Sequence, residues 1–136
     1  MASELRVNTL KDAAGNNSVA MSTVSNGTPK GYAYWNQETP AIVDSLNASS
    51  ITDTALGKGA INWSSAMSSA SYMCTTGSPS LSASSLFSPV TLDDGIYGYQ
   101  TKSTTVWPFR DLYVGSSSSA FYDSRGSICA AMGDLA

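Results

Sequence analysis

The sequence predicts an all-β fold: a β-sandwich or jelly-roll-like module preceded by an extended N-terminal arm or hairpin. Apolar and polar residues alternate at period two in one short run after another, and Gly, Pro, Ser and Asp separate these runs at close intervals. Helical spacing is scarce, since only a weak match over Ala66 to Met73 places apolar residues three and four apart.

Taken in order, Leu5, Val7 and Thr9 alternate before "KDAAGNNS", and Val19, Met21 and Thr23 alternate after it. Gly15, Asn16 and Asn17 between them tolerate positive φ, which predicts a hairpin or extended arm over residues 1–30. The apolar residues of this arm, Leu5, Val7, Leu10, Val19 and Met21, are its candidate docking set. "VSNGTPKG" then punctuates the chain and sets a hinge near Val24 to Gly31.

The sandwich module is expected over residues 31–136, with strands at "GYAYWN", "AIVDSL", "SSITDT", "GAINWS", "SYMCTT", "SLFSPVT", "GIYGYQTK", "VWPFRDLYVG", "AFYDS" and "GSICAAM". "LGKG" is a connection that returns the chain to Ile51, with Ile61 and Trp63 facing one way and Ala60, Asn62 and Ser64 the other. Pro108 inside "WPFR" predicts an edge strand or a bulge.

Composition narrows the function. The 136 residues suffice for one domain with its own core. Seven basic residues are scattered singly against ten acidic ones, so no electrostatic footprint for a phosphate backbone exists and nucleic acid is not an expected partner. Charged residues make up 12% of the chain, while Ser and Thr make up roughly a quarter, well above ordinary usage. Such a surface tolerates close packing against neighbours. No apolar run spans a bilayer, and Glu4 and Arg6 stand where a signal peptide would need apolar residues, so a cytosolic start is expected.

Cys74 and Cys129 belong to no C-x-x-C pair. They read as small buried hydrophobes, with a disulfide between two strands as the alternative. The Asn-x-Ser/Thr triplets at Asn16, Asn26, Asn47 and Asn62 are expected by chance in a chain so rich in hydroxyls.

Reactive groups are few. Histidine is absent, which removes the usual base near neutral pH and every Ser-His or Cys-His arrangement. There is no G-x-S-x-G elbow, "ALGKGA" lacks the Ser or Thr that completes a phosphate loop, and Asp93-Asp94-Gly95 reads as a turn. No enzyme activity, cofactor or metal is expected. Aromatic residues are the other signal. Tyr32, Tyr34, Trp35, Tyr97, Tyr99, Trp107, Phe109 and Tyr113 could present flat faces to sugar rings, while Trp35, Trp63 and Trp107 could equally fill the core or a subunit contact. Tyr97, Tyr99, Trp107 and Phe109 are the candidate surface aromatics for a receptor or a subunit.

One segment is specific enough to suggest a family. Asp44, Ser45, Asn47, Ser49, Ser50, Ile51, Thr52 and Asp53 occur in order, followed by Gly57, Gly59, Ile61, Trp63, Met67 and Tyr72. This run resembles a β-rich module common in marine and cyanobacterial phage structural proteins, typically tail-fibre ends. "SELRVNTLKDAAGNNSVAM" is similar to the short leader that often precedes that module. The likeness covers roughly the first half of the chain well and "DSRGSICAAMGDL" loosely; the middle, from Thr76 to Trp107, does not align.

The resemblance implies a virion component assembled in the host cytosol and usually trimeric. Its partners would be further copies of itself and the phage major capsid protein or tail proteins, reached through the arm, with host surface carbohydrate added for a fibre. A leader and one module are short for a fibre, so a trimeric capsid decoration or cement protein on the head exterior is expected, and a short tail fibre or tail adaptor is the alternative.

Overall fold

The computed structural model describes residues 6–15, 17–77, 86–91, 101–114 and 119–136. β1 (Thr9–Lys11) and β2 (Ser18–Ala20) form an antiparallel hairpin, and helix α1 (Met21–Gly27) follows. The rest of the chain runs through β3 (Pro29–Asn36), β4 (Ala41–Leu46), β5 (Ala48–Ala55), β6 (Lys58–Trp63), β7 (Met73–Gly77), β8 (Leu86–Thr91), β9 (Val106–Val114), β10 (Ser119–Phe121) and β11 (Ser127–Met132). The fold is all-β and sandwich-like, as the alternation predicts.

The first sheet is organised on β9. One edge of this strand is shared, by β6 along residues 106–110 and by β10 along residues 112–114, while β8 occupies the opposite edge and β5 lies outside β6. The second sheet has the order β4-β3-β11-β7, and all its pairs are antiparallel. Between the sheets, Ala33, Trp35, Cys129 and Ala131 of the second meet Ile61, Trp63, Trp107 and Phe109 of the first, with Met67 and Tyr72 closing one end. Trp35 packs at 4.8 Å from Phe109 and edge-on to Trp107 at 6.2 Å. Aromatic pairs of this geometry add attraction beyond the area they bury.

The β5–β6 hairpin is the one expected from "LGKG": Ile51 pairs with Ile61, and Leu56-Gly57 makes the turn. Ile61 and Trp63 enter the core, and Asn62 turns outward, where its Nδ2 donates to Ser50 Oγ at 3.0 Å and Thr52 Oγ1 at 2.9 Å.

Four expectations need correction. Trp107 and Phe109 are not surface aromatics: at 0% and 2% exposure they lie in the core, because β9 is paired on both edges and its inner face is covered by the second sheet. The alternation of Val19, Met21 and Thr23 does not continue as a strand. β1 starts at Thr9, so its last partner is Ala20; beyond Met21 N–H, which donates to Asn8 O, the backbone closes its bonds locally as α1, ended by Thr28, whose Oγ1 donates to Val24 O at 2.6 Å. Met21 therefore sits outside the hairpin face assigned to it. Ala66 to Met73 is not helical, since Met67 N–H donates to Thr104 O and Ser68 N–H to Asp134 O, tying the segment to distant chain. The strand carrying Pro108 is central, and no bulge interrupts its pairing with β6. Asp111 N–H donates to Gly57 O and Trp63 N–H to Thr105 O, so odd-numbered residues of β9 bond to β6 and the Pro108 nitrogen faces away from β6, whose ladder asks no donor of it.

Candidate functional site

The candidate site is the outer face of the second sheet. Alternation in β3 sends Trp35 and Ala33 inward and Tyr32 and Tyr34 outward; in β11 it sends Cys129 and Ala131 inward and Ile128 and Ala130 outward. Register aligns Leu46, Tyr32, Ala130 and Thr75 across the four strands, with Asp44, Tyr34, Ile128 and Gly77 as the next row. Ala130 is the small member, so its strand forms the floor of a trough of about 410 Å³ walled by the two tyrosines on one side and Thr75 on the other. The lining is apolar yet wet: Tyr32 is 37% exposed, Tyr34 36% and Ile128, on the floor strand, 47%. Leu46, Val43 and Met73 extend the exposed apolar surface around it.

Asp44 is the acid of this face. Its Oδ2 accepts from the Tyr32 hydroxyl at 3.2 Å and its Oδ1 from Ser45 N–H at 2.9 Å. The negative charge of Asp44 raises the Tyr32 phenol above its ordinary pKa, with desolvation and the hydrogen bond adding to it. Two exposed rings beside a carboxylate can stack on, and accept hydrogen bonds from, a polyhydroxylated or peptide partner.

The motif residues hold the scaffold rather than line the trough, and Asp44 meets it only through the Tyr32 hydroxyl. Asn47, at φ 59°, accepts from Ser65 N–H at 2.7 Å and donates to Ser65 O at 3.1 Å, clamping the exit of β6 to the β4–β5 connection. Ser49 Oγ donates to Asn62 O at 3.0 Å. Trp63 Nε1 donates to the Tyr72 hydroxyl at 3.0 Å, which donates in turn to Val106 O at 2.9 Å. Lys102 donates to Tyr72 O and lies 4.2 Å from its ring centroid.

A second polar cluster joins the two sheets at one end of the sandwich. Asp111 of β9 is fully buried, and its Oδ2 accepts from Ser124 Oγ and, at 3.0 Å, from Ser127 Oγ. Burial pushes its carboxyl above the usual range; the two serine hydroxyls oppose that shift and the charge of Asp123 adds to it. Asp111 Oδ1, Trp35 Nε1 and both side-chain amide atoms of Gln37 have no hydrogen-bond partner among the described residues, which leaves room in the bonding for internal water. Asp111, Ser124 and Ser127 are fully buried, so the cluster braces the fold.

Cys74 and Cys129 are both free thiols packed in or against the core. Cys74 pairs with Ala131 and Cys129 with Thr76, so the two are diagonal neighbours, where Cα atoms lie about 7–8 Å apart, too far for an unstrained bridge. Burial pushes Cys74 up to about 12 and raises Cys129 further, against a small opposing effect of Lys102 on Cys74.

Of the candidate docking residues, Val7 and Leu10 are exposed, and Val19 is half-buried opposite Leu10. Leu5, Tyr97 and Tyr99 lie outside the described residues. Tyr32 and Tyr34 come from the wider aromatic set, but Ile128, Ala130 and Thr75 escape a sequence reading. In "SICAAM" both alternating sets are apolar, so nothing says which faces out.

Among the described residues no three His, Cys, Asp or Glu side chains gather as a metal site requires, and no helix is long and apolar enough to cross a membrane. No family model matches the chain, and no curated protein and no solved structure matches it.

Proposed function

We propose that the chain is a phage virion structural protein, a homotrimeric decoration or cement module on the capsid exterior that acts through surface contact. The observation that supports this reading is the division of the molecule. The sandwich closes its own aromatic core, while two apolar surfaces, the trough face and the hairpin at Leu10, stay uncovered among the described residues. Uncovered apolar patches on an otherwise complete module mark contact surfaces. A surface with few charges and many small hydroxyl side chains packs closely against copies and capsid alike.

The test is a cryo-EM map of purified particles. Decoration predicts density for the sandwich at icosahedral positions on the head; a few copies confined to the tail reject it. Particles lacking the protein should also rupture at lower temperature, and equal heat resistance argues against cementing.

A second reading, a short tail fibre or tail adaptor that binds host carbohydrate, is favoured by one feature: the exposed Tyr32–Tyr34 pair beside Asp44. If Tyr34→Ala abolishes adsorption to host polysaccharide while particles remain intact, the fibre reading replaces decoration.

A further inference from the structure

A reactive pair stands where α1 ends. Of the seven asparagines, only Asn26 is followed by glycine. Asn26 and Gly27 are the last two residues of α1, and both are exposed. The side-chain amides of Asn17, Asn36, Asn47 and Asn62 are held in hydrogen bonds. Asn26 makes none among the described residues, and it lines an open pocket of about 370 Å³ with Ser68, Ser69, Ser71 and Asp134, so water reaches it.

We infer that Asn26-Gly27 is a self-modification site, at which the chain converts its own asparagine to aspartate and isoaspartate with water as the only co-reactant. Gly27 N attacks Asn26 Cγ and gives up its proton. The Cγ–Nδ2 bond breaks, ammonia leaves carrying that proton, and a five-membered succinimide ring remains. Water then opens the ring. If the bond from Gly27 N to Cγ breaks, the main chain is restored with aspartate at position 26. If the bond from Gly27 N to the backbone carbonyl carbon breaks instead, the main chain runs on through Cγ as isoaspartate. One water enters, one ammonia leaves, and nothing is oxidised or reduced.

Three features favour closure of the ring. Attacker and target are neighbours in one chain, which gives the step the advantage of an intramolecular reaction. Gly27 has no side chain beside its nitrogen, and nothing lies within 4 Å of where a Cβ would stand, so the ring meets no obstacle. Closure also requires the Asn26 backbone to leave helical geometry, and α1 resists this weakly. It has seven residues, none of them buried, no side-chain cap at its start and a glycine at its end. The bonds that hold its last turn, from Thr28 Oγ1 to Val24 O at 2.6 Å and from Lys30 Nζ to Ser25 Oγ at 3.4 Å, are both exposed.

The conversion adds one negative charge and, as isoaspartate, one methylene to the backbone. It falls between the hairpin and β3, outside every sheet pair, so it lengthens the tether of the arm without touching the core.

The test holds the full chain in native buffer at mildly alkaline pH, in water enriched in heavy oxygen. Trypsin then releases the peptide of residues 12–30, and mass spectrometry with fragmentation separates Asn26 from Asn16 and Asn17. Asn26 should convert several times faster than any other asparagine and take up one labelled oxygen. Isoaspartate, detected with an isoaspartyl methyltransferase, should exceed aspartate. Asn26→Gln should abolish the product and Gly27→Ala should slow it several-fold, both with an unchanged circular dichroism spectrum. A rate shared with the other asparagines, aspartate without isoaspartate, or a rate unmoved by Gly27→Ala overturns the inference. Conversion in urea with none in native buffer also overturns it, because α1 then shields the pair.

Discussion

Asp111 is the residue whose chemistry is least comfortable in its place. Its carboxyl is buried between the sheets with one oxygen bonded to two serine hydroxyls and the other without a partner among the described residues, and its pKa is raised in the folded chain. A proton held more tightly by the folded state stabilises it fully below the unfolded pKa, about 3.9. That contribution is lost as pH rises through the raised folded value. Asp111→Asn removes the titration while keeping an acceptor for the serines. The difference in Tm between variant and wild type should therefore move in the variant's favour as pH climbs from below 4 to neutrality, read by thermal melts across that range. A difference that moves the opposite way contradicts the assignment. Tyr72 is the complementary case, a buried hydroxyl with both bonds made. Tyr72→Phe leaves Trp63 Nε1 without its acceptor, while Val106 O keeps the bond it accepts from Ser103 N–H, and should cost about 2 kcal/mol in urea unfolding. A loss below about 0.5 kcal/mol would mean that water replaces the hydroxyl there.

At the scale of elements, the β5–β6 turn is the joint on which the first sheet depends. Gly57 has φ 64°, and a Cβ there would stand 2.6 Å from Tyr122 N and 2.7 Å from Asp111 O, both backbone atoms that cannot step aside. Its N–H donates to Asp123 Oδ1 at 2.6 Å and its carbonyl accepts from Asp111 N–H, so the turn is tied to β9 and to the β10–β11 connection at once. Gly57→Ala should cost about 3 kcal/mol or more, by chemical denaturation. A variant as stable as the wild type would show that the turn repacks. Phe121 sits beside this joint with Lys58 and Arg110 over its ring at 5.0 Å and 5.1 Å, so the cations of β6 and β9 cover the apolar flank of β10.

For the whole molecule, the core and the exposed apolar surfaces are separate parts. The sandwich buries its aromatics without help from residues 6–20, which contribute no side chain to the core. Removing residues 2–20 should leave the near-ultraviolet aromatic spectrum of the sandwich in place while its assembly is lost; collapse of that spectrum would make the hairpin part of the fold. In the single chain the outer face of the second sheet carries Tyr32, Tyr34, Leu46 and Ile128 in water.

Strand positions are legible in the sequence wherever one alternating set is apolar and the other polar. "GAINWS" marks Ile61 and Trp63 as inward, and the Gly-bearing "LGKG" marks the return to Ile51. Local chemistry also decides the hairpin near Gly15 and the all-β class. Tertiary structure alone decides which aromatics are buried, because Trp107 and Tyr34 are both aromatic residues in alternating runs and differ in the face they take, Trp107 towards the other sheet and Tyr34 away from it. It decides α1, which forms where β1 runs out of residues to pair. It also decides the trough: period two tells which residues share a face, whereas the second sheet, packed on one side only, determines which face meets water.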